Sequence, residues 1–461
     1  MRFAIASFTF FALFAAIPAS ALTLQPHSSS QPGPTTTIVQ ADQSDTWENA
    51  QLSYEIDLES QVYPGTVCPV YPSRMAVSPD SQTLAVSSIS RERSCSNDPS
   101  STLTLWNLQT GEKTATLVQG TADEWVSPNG DIQEPGSLVN IHLMGDVVHA
   151  IAFTPDGETV AAGMSDRTVK LWNARTGEAI RTLSGHQYAV HAIAISPDGQ
   201  TLASGSSDLT VKLWNLNTGE VRRTLSLGMQ PGQDKIQTVA FSLDGQSLVS
   251  VLHDSNALQL WNIDGQPIRQ LSQSRTDTDN GRRIPFAFHP SGIRLASGLT
   301  QIIATVDPDN TIKLWNTRTG ARVVTLTGHV GGIRSLTFSP DGRTLASWSE
   351  DGTVKLWSMR SLQLERTMPI NQGLTTAPPP FGDRLLFSPD GQTLAADALI
   401  SSVENTPSYD LSPYSVGLFN IATGERQQAF PNLYSGVSFH FTADGQRFIA
   451  VAGSTIQVWQ R

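Results

Sequence analysis

The sequence lacks the motifs that identify many hydrolases, nucleotide-binding proteins and metalloenzymes. HExxH, GxxxxGK[ST], GxSxG and CxxC are all absent, so the strong signs of zinc proteases, P-loop enzymes, serine hydrolases and redox or zinc sites are missing. Long runs of like charge are also absent, and the formal net charge is −11 at pH 7. Since nucleic acids are bound by clustered lysine and arginine, nucleic acid is not an expected partner.

The sequence has a long apolar run at its amino terminus. The run extends from Phe3 to Ile17, follows the single basic residue Arg2 and precedes Ala-Ser-Ala at positions 19–21. This order predicts a signal peptide over residues 1–21, cleaved after Ala21. We therefore expect a secreted or periplasmic protein with no membrane span after cleavage. The alternative is an uncleaved anchor, but the run is shorter than the roughly twenty residues that a spanning helix needs.

Few large apolar residues follow the predicted cleavage site. Residues 22–50 are rich in Ser, Pro, Thr and Gln, and such a segment buries too little apolar surface to offset its chain entropy. We predict a flexible tether over 22–50 and a folded domain over 51–461.

The folded domain contains a repeated phrase. TVKLWNARTGE begins at Thr168, and close variants begin at Thr210, Thr311 and Thr353. In residues 190–220, VHAIAISPDGQTLASGSSDLTVKLWNLNTGE, short apolar runs are separated by SPDG, SSD and NTG, and a further strand follows at 223–225. This pattern predicts repeating four-stranded antiparallel units joined by tight turns.

The order Gly-His, SPDG, strand, Asp, and strand ending in Trp resembles the WD-repeat β-propeller family. The resemblance covers residues 51–461 approximately. It implies an all-β, closed β-propeller whose blades have strands a to d from the centre outward. It also implies that the last strand of each sequence repeat belongs to the preceding blade.

Two landmarks predict eight blades. The turns between strands a and b begin at Ser78, Thr154, Ser196, Ser242, His289, Ser339, Ser388 and Thr442. The strand-c aromatic residues are Trp106, Trp172, Trp214, Trp261, Trp315, Trp357, Phe419 and Trp459. The last blade then lacks its own d strand, and we expect the alternating segment Leu52–Leu58 to supply it and close the ring. Seven blades, the commoner number in the family, is the alternative, and we interpret residues 118–144 as an inserted loop.

The resemblance further implies a structural tetrad of His, Ser, Asp and Trp in two repeats. The matching residues are His186, Ser204, Asp208, Trp214, His329, Ser347, Asp351 and Trp357. A nucleophilic Ser-His-Asp triad is not expected, because the serine falls inside strand b and the set occurs twice. The repeat near Val147 keeps only Asp166 and Trp172. Blades without the tetrad are expected to rely on packing alone.

Candidate metal ligands do not form a complete set. DTDNG at 277–281 begins like a calcium loop, but its glycine comes one position early and Phe288 stands where a bidentate Glu is required. His149 and His191 are adjacent in the predicted ring, but no third ligand is evident. The sequence therefore predicts no metal, no cofactor and no catalytic residue.

Length variation is concentrated in the d–a and b–c connections. In an antiparallel blade these two loop types emerge on one face, and loops on a rigid scaffold commonly carry binding. We therefore expect a non-catalytic, monomeric scaffold that binds a protein or an extracellular polymer through this face. The alternative is a small-ligand or enzymatic site in the central funnel.

An equivalent position in strand a, five residues before each a–b turn, is predicted to contact the partner. Its occupants are Ser73, His149, His191, Gln237, Ile284, Arg334, Asp383 and Val437. By resemblance to the family, the large polar members are expected around the channel mouth. These members are His149, His191, Gln237, Arg334 and Asp383. The alternative is that they only cap strand ends.

The two cysteines, Cys68 and Cys95, are predicted to form a disulfide. Both fall in loops of the elaborated face, and a disulfide is the favoured state of such a pair in an exported chain. Closing this loop contributes roughly 3 to 4 kcal/mol in the chain-entropy model. We expect thiol labelling of the native exported protein to detect no free cysteine. Two labelled thiols would support the alternative of two unrelated loop cysteines.

Overall fold

A computed structural model describes residues 47–58, 61–63, 66–68, 70–90, 101–119, 147–228, 234–253, 255, 257–271, 285–289, 301–307, 309–370, 385–399, 414–430, 439–452 and 455–461. Apart from the 3₁₀ helix Trp47–Asn49, the regular elements of these residues are strands. Eight antiparallel sheets of four strands form the blades of a closed β-propeller.

The first four blades are continuous in sequence. Before them come β1 (Gln51–Asp57) and the hairpin of β2 (Gln61–Tyr63) and β3 (Thr66–Cys68). Blade 1 comprises β4 (Val70–Val77), β5 (Thr83–Ser90), β6 (Ser101–Asn107) and β7 (Lys113–Gln119). Blade 2 comprises β8 (Val148–Phe153), β9 (Thr159–Met164), β10 (Thr168–Asn173) and β11 (Ala179–Ser184). Blade 3 comprises β12 (Val190–Ile195), β13 (Thr201–Ser206), β14 (Thr210–Asn215) and β15 (Val221–Ser226). Blade 4 comprises β16 (Ile236–Phe241), β17 (Ser247–Leu252), β18 (Leu258–Asn262) and β19 (Pro267–Gln270).

The other four blades complete the ring. Blade 5 comprises β20 (Phe286–Phe288), β21 (Ile302–Val306), β22 (Ile312–Asn316) and β23 (Arg322–Leu326). Blade 6 comprises β24 (Ile333–Phe338), β25 (Thr344–Ser349), β26 (Thr353–Ser358) and β27 (Leu364–Pro369). Blade 7 comprises β28 (Leu385–Phe387), β29 (Thr393–Leu399), β30 (Tyr414–Asn420) and β31 (Arg426–Phe430). Blade 8 comprises β32 (Phe439–Phe441), β33 (Arg447–Ala452), β34 (Thr455–Gln460) and, outermost, β1.

The prediction of eight blades is therefore confirmed over the alternative of seven. The strand predicted at 223–225 lies within β15, and Val118, the start of the predicted insertion, belongs to β7. Several other predictions fall on residues outside the described ranges: the signal peptide, the tether up to residue 46, most of the insertion, the DTDNG turn and Cys95. The disulfide with Cys68 stays a prediction.

The hydrophobic core is divided among the blade interfaces. Among the described residues, an apolar cluster lies between each pair of neighbouring blades, including blades 8 and 1. The strand-c aromatic residue packs toward the preceding blade, as Trp214 of blade 3 does against Ala161 and Val169 of blade 2. Each blade thus buries both faces of its sheet against its neighbours.

Close approach of blades explains one strand-b glycine. A Cβ on Gly205 of blade 3 would lie 2.4 Å from the side chain of Ile236 in blade 4. A larger residue there would force the two blades apart, so glycine permits the observed packing.

The asparagine that follows the strand-c aromatic residue in several blades caps the next turn. Asn173 Oδ1 accepts hydrogen bonds from the backbone N–H groups of Arg175 and Thr176, both at 2.9 Å. Asn107, Asn215, Asn316 and Asn420 cap their c–d turns in the same way. The Trp-Asn pair is therefore a local turn signal, with the asparagine side chain replacing a backbone acceptor.

The amino-terminal strand closes the ring, as predicted. β1 pairs antiparallel with β34, and Ile56 and Leu58 are buried between blades 8 and 1. The expectation of continuous alternation from Leu52 was wrong, because the pairing shifts after Leu52 and leaves that side chain 40% exposed. The packed region also includes Trp47, which precedes the predicted boundary at residue 51 and is fully buried between blades 7 and 8.

Outer strands are tied to the c–d turns of the next blade. The guanidinium of Arg181 in blade 2 donates to the carbonyl oxygens of Thr218 and Asn217 in blade 3. Arg366 of blade 6 makes the same contacts with blade 7. At the closure, the Tyr54 hydroxyl donates to the carbonyl of Leu108 in blade 1. These bonds link blades through the face opposite the b–c turns.

We expect Tyr54→Phe to weaken ring closure. The substitution removes the hydroxyl but keeps the ring that contacts Gly111, and it leaves the Leu108 carbonyl without that donor. The free energy of unfolding, measured with urea, should fall by about 1 kcal/mol. Tyr188→Phe is the control, because Tyr188 is 44% exposed. Equal losses in the two variants would contradict a closing role for the Tyr54 hydroxyl.

Candidate functional site

Both predicted tetrads are formed, and both are buried in the sheets. In blade 3, His186 Nδ1 lies 2.8 Å from Asp208 Oδ2 and its Nε2 lies 2.7 Å from Ser204 Oγ. Trp214 Nε1 donates to the same Ser204 hydroxyl at 2.8 Å. With an ionised aspartate, the donors run in one direction: indole to serine, serine to imidazole, and imidazole to carboxylate.

The second tetrad has the same geometry in blade 6. His329 Nδ1 lies 2.7 Å from Asp351 Oδ2, and Ser347 Oγ lies 2.8 Å from both His329 Nε2 and Trp357 Nε1. Ser347 is fully buried inside β25. A serine held between an indole donor and an imidazole inside a sheet stabilises the blade, as the resemblance implied.

The expectation that the other blades rely on packing alone was wrong. Trp106, Trp261 and Trp315 donate their indole N–H to Thr104, Ser250 and Thr305 at 2.8, 2.9 and 2.9 Å. In blade 2, Asp166 accepts from the Thr168 hydroxyl and pairs with Lys170 at 3.0 Å. A hydroxyl in strand b or c is enough to satisfy a buried indole, and histidine is not required for that contact.

The tetrad carboxylates are stabilised in their ionised form. Burial alone raises the pKa of Asp208, but hydrogen bonds from His186 and Thr210 outweigh it and hold the pKa well below its usual value. Asp351 has the same balance, with His329 and Thr353 as the donors. A carboxyl whose pKa is lowered by folding stabilises the fold above its unfolded pKa, and this contribution disappears as the pH falls through the folded pKa.

The partner-binding residues that the structure describes share a β-bulge. The pairing of strands a and b shifts at His149, His191, Gln237 and Arg334, and Ser73 of blade 1 occupies the same bulge. A bulge leaves a residue out of the ladder and redirects its side chain. Asp383, Ile284 and Val437 lie outside the described ranges.

Two of the redirected side chains contact the end of strand b in their own blade. His191 Nε2 lies 2.7 Å from Ser207 Oγ, and Arg334 forms an ion pair with Glu350. Ser207 and Glu350 were not predicted from the sequence. Ser207 follows His191 by 16 positions, and Glu350 follows Arg334 by the same number. This constant spacing is the sequence signal that could have identified both pairs.

The bulge residues also contact one another across a blade boundary. The imidazole rings of His149 and His191 lie 4.5 Å apart between centroids and are tilted by 46°. The pKa of His149 is lowered to about 4 by burial first and then by the positive charges of Arg74 and Lys235. His149 is therefore a neutral imidazole at neutral pH, held beside two cations. Arg74 Nε also donates to the His149 carbonyl at 2.9 Å.

The described residues contain no cluster of three or more histidine, cysteine or acidic side chains that could hold a metal ion. Within the same ranges, no helix has the length and hydropathy needed to cross a membrane.

We expect Asp208→Asn to destabilise the fold in a pH-dependent way. At pH 7 the free energy of unfolding should fall by about 2 kcal/mol, because the charge-assisted bond to His186 is lost. The difference from the unchanged protein should shrink as the pH drops below about 4, where Asp208 of the unfolded chain begins to take up a proton while the folded carboxylate stays ionised. Urea unfolding across this pH range tests the prediction. Asp264→Asn, at an exposed turn position, is the control. A loss of unfolding free energy in Asp208→Asn that stays constant with pH would contradict the prediction.

Comparison with known proteins agrees with the blade geometry. The family described as "WD domain, G-beta repeat" matches residues 137–173, 177–215 and 320–358. Nuclear distribution protein PAC1 of Arthroderma otae is 29% identical over 215 residues, which is 46% of this chain and 36% of that protein. Pre-mRNA-processing factor 19 homolog 2 of Arabidopsis thaliana is 34% identical over 93 residues, or 20% of this chain and 16% of that protein.

A third relative matches a short stretch of this chain. Transducin beta-like protein 3 of Bos taurus is 34% identical over 91 residues, which is 20% of this chain and 11% of that protein. The chain thus covers little more than a third of the length of these relatives at most. The matched repeats, the two tetrads and the eight four-stranded blades together establish that the chain is a WD-repeat β-propeller.

Proposed function

We propose that this protein is a non-catalytic scaffold that binds a protein partner through the face carrying its d–a and b–c connections. The observation that carries the proposal is the shared bulge at His149, His191, Gln237 and Arg334. The same irregularity in four blades redirects a polar side chain at one equivalent position. Bulges are common next to functional sites, where they redirect a side chain.

The scaffold holds these side chains in place before a partner arrives. Arg334 is paired with Glu350, and His191 is held by Ser207 and by the ring of His149. Side chains that are already restrained lose less conformational entropy on binding. This supports the face as a recognition surface built on a rigid ring.

The His191–Ser207 contact also has the distance of a base and a nucleophile, and this favours one alternative. His191, however, occupies the bulge position that Gln237 and Arg334 occupy in other blades, and neither of those side chains is a proton acceptor at neutral pH. We therefore assign the pair a binding role. Covalent modification of Ser207 by a fluorophosphonate would contradict that assignment.

Export remains part of the proposal. The apolar run from Phe3 to Ile17, followed by Ala-Ser-Ala at 19–21, supports a secreted or periplasmic protein. The names of the relatives refer to nuclear distribution and pre-mRNA processing. Because the chain covers only part of each relative, these assemblies are not transferred to it. We therefore expect the partner among exported proteins. Extracellular polymers are the other class of partner considered.

Partner capture by variants of the two faces tests the proposal. Tagged protein carrying His191→Ala or Arg334→Ala should each capture at least about fivefold less partner from the exported fraction, as expected when a contact worth about 1 kcal/mol is lost. Each substitution also removes a contact within its blade, Arg334 with Glu350 or His191 with Ser207, so capture is compared at a temperature well below the Tm of every variant. Mass spectrometry quantifies the captured partner.

The matched controls are Arg175→Ala and Arg318→Ala, which alter exposed arginines in the c–d turns of the opposite face. These variants should capture the partner normally. If instead they lose capture while the His191 and Arg334 variants keep it, the binding face is the opposite one.

A further inference from the structure

The most exposed large apolar side chain of the described residues lies on the proposed binding face. Val330 is 87% exposed, and the next highest values are 52% for Leu243 and 50% for Ile180. Val330 belongs to the d–a connection between β23 and β24, directly after the tetrad residue His329. Leu243 lies in an a–b turn of the opposite face. Because single exposed apolar residues are common on protein surfaces, the surroundings of Val330 decide whether it has a role.

Hydrogen bonds hold residues 329–332, which we call the valine loop, against the b–c turn of blade 6. The Val330 N–H donates to Asp351 Oδ2 at 3.2 Å. The carbonyl groups of the two glycines that follow accept from the Ser349 hydroxyl at 2.8 Å and from the Glu350 N–H at 2.9 Å. The backbone on both sides of the valine is therefore fixed.

The two glycines bring the valine loop into direct contact with that turn. A Cβ on Gly331 would lie 2.7 Å from the backbone nitrogen of Asp351, and one on Gly332 would lie 2.9 Å from Glu350 Oε2. Because the backbone already touches the turn, the loop cannot settle further and bury Val330 against its own blade. The valine is held in solvent at a fixed position.

The fold does not require an apolar residue at this position. The corresponding loop of blade 3 has the same hydrogen bonds: the Gln187 N–H donates to Asp208 Oδ2 at 3.0 Å, and the Ser206 hydroxyl donates to the Tyr188 carbonyl at 2.9 Å. Gln187 is exposed and takes the place of Val330. One loop structure is thus built with glutamine in one blade and with valine in another. Stability of the loop does not account for the valine.

The valine loop is continuous with a residue of the proposed binding face. Glu350, whose carboxylate lies beside Gly332, forms an ion pair with the bulge residue Arg334. Protein interfaces commonly combine an apolar centre with a polar rim. Val330 and this ion pair place both kinds of group on one restrained surface of blade 6.

We propose that Val330 is an apolar anchor that enters a recess of the protein partner lined by apolar side chains, with polar groups of the partner facing Arg334 and Glu350. Burial of the valine favours binding in proportion to the apolar area removed from water. Since the loop is ordered beforehand, little of this gain is lost in restraining it. A hydroxyl-rich polysaccharide offers no apolar recess, so the anchor selects a protein among the partner classes considered. This inference rests on the proposed function and names the chemistry of its partner.

Val330→Gln tests the inference on the full chain, because glutamine is the residue that the same loop carries in blade 3. Capture of the partner from the exported fraction should fall at least about tenfold, as expected when a buried valine is replaced by a polar group. The Tm should not change, because the side chain is exposed. The matched control is Leu243→Gln, which removes an exposed apolar side chain from the opposite face and should capture the partner normally.

Two further measurements separate apolar contact from an indirect effect. Calorimetry with the purified captured protein should give a less negative heat-capacity change of binding for Val330→Gln than for the unchanged chain. The photo-crosslinking residue p-benzoylphenylalanine, placed at position 330, should crosslink to the same protein whose capture depends on His191 and Arg334. At position 243 it should not.

Three outcomes would overturn the inference: full capture by Val330→Gln, equal losses in Val330→Gln and Leu243→Gln, or crosslinking from position 330 to a polysaccharide. Failure here is distinguishable from failure of the proposed function. If capture depends on His191 and Arg334 but not on Val330, the binding face stands and only the anchor is wrong. If the unchanged protein captures no partner, the proposed function fails and the anchor fails with it.

Discussion

The structure depends on burying both faces of every blade. A four-stranded sheet with apolar residues on both sides is covered only when another sheet lies against each side, and a closed ring meets this requirement for all eight blades. The clusters between neighbouring blades contain much of the described core, with the strand-c aromatic residue packed toward the preceding blade. One missing interface would expose two apolar faces. The junction of blade 8 with blade 1 is therefore as important as any strand ladder.

Hydrogen bonds then select one arrangement of this apolar core. A buried indole N–H without an acceptor is costly, and serine or threonine hydroxyls satisfy it at Trp106, Trp214 and Trp261. The tetrads extend the same contact to the b–c turn through histidine and aspartate. They connect the centre of a blade to its loop face. A stable scaffold and a well-ordered face thus come from the same network.

The binding proposal uses the irregular part of this regular fold. Repeating ladders point side chains toward neighbouring blades, where they are buried. A bulge at the start of strand a releases a residue from that pattern without breaking the blade, because the ladder resumes at the next position. The residues released in this way differ between blades, as His191 and Arg334 do. The ring fixes where these side chains lie, and the residue at the bulge position of each blade determines which groups are available for binding.

The sequence by itself determined the blade number, the strand order and both tetrads. The blades and strands follow from local signals: period-two alternation, turns of Pro, Asp and Gly, and a tryptophan at a constant spacing. The tetrads were implied by the resemblance to the WD-repeat family. The strand that closes the ring was also predictable, because Ile56 and Leu58 alternate with polar residues. Its exact register was not. The pairing shift that exposes Leu52 depends on how β1 fits β34, hundreds of residues away.

Only the tertiary structure decided which side chains meet across blades. The ring contact of His149 with His191 and the hydrogen bond from Arg74 to the His149 carbonyl join residues of different repeats. The lowered pKa of His149 follows from that neighbourhood, first from burial and then from two cations contributed by other blades. Likewise, Trp47 belongs to a segment of polar composition, and only the fold shows that it is buried between blades 7 and 8. A sequence pattern records local preference, whereas burial and electrostatic surroundings are set by residues that folding brings together.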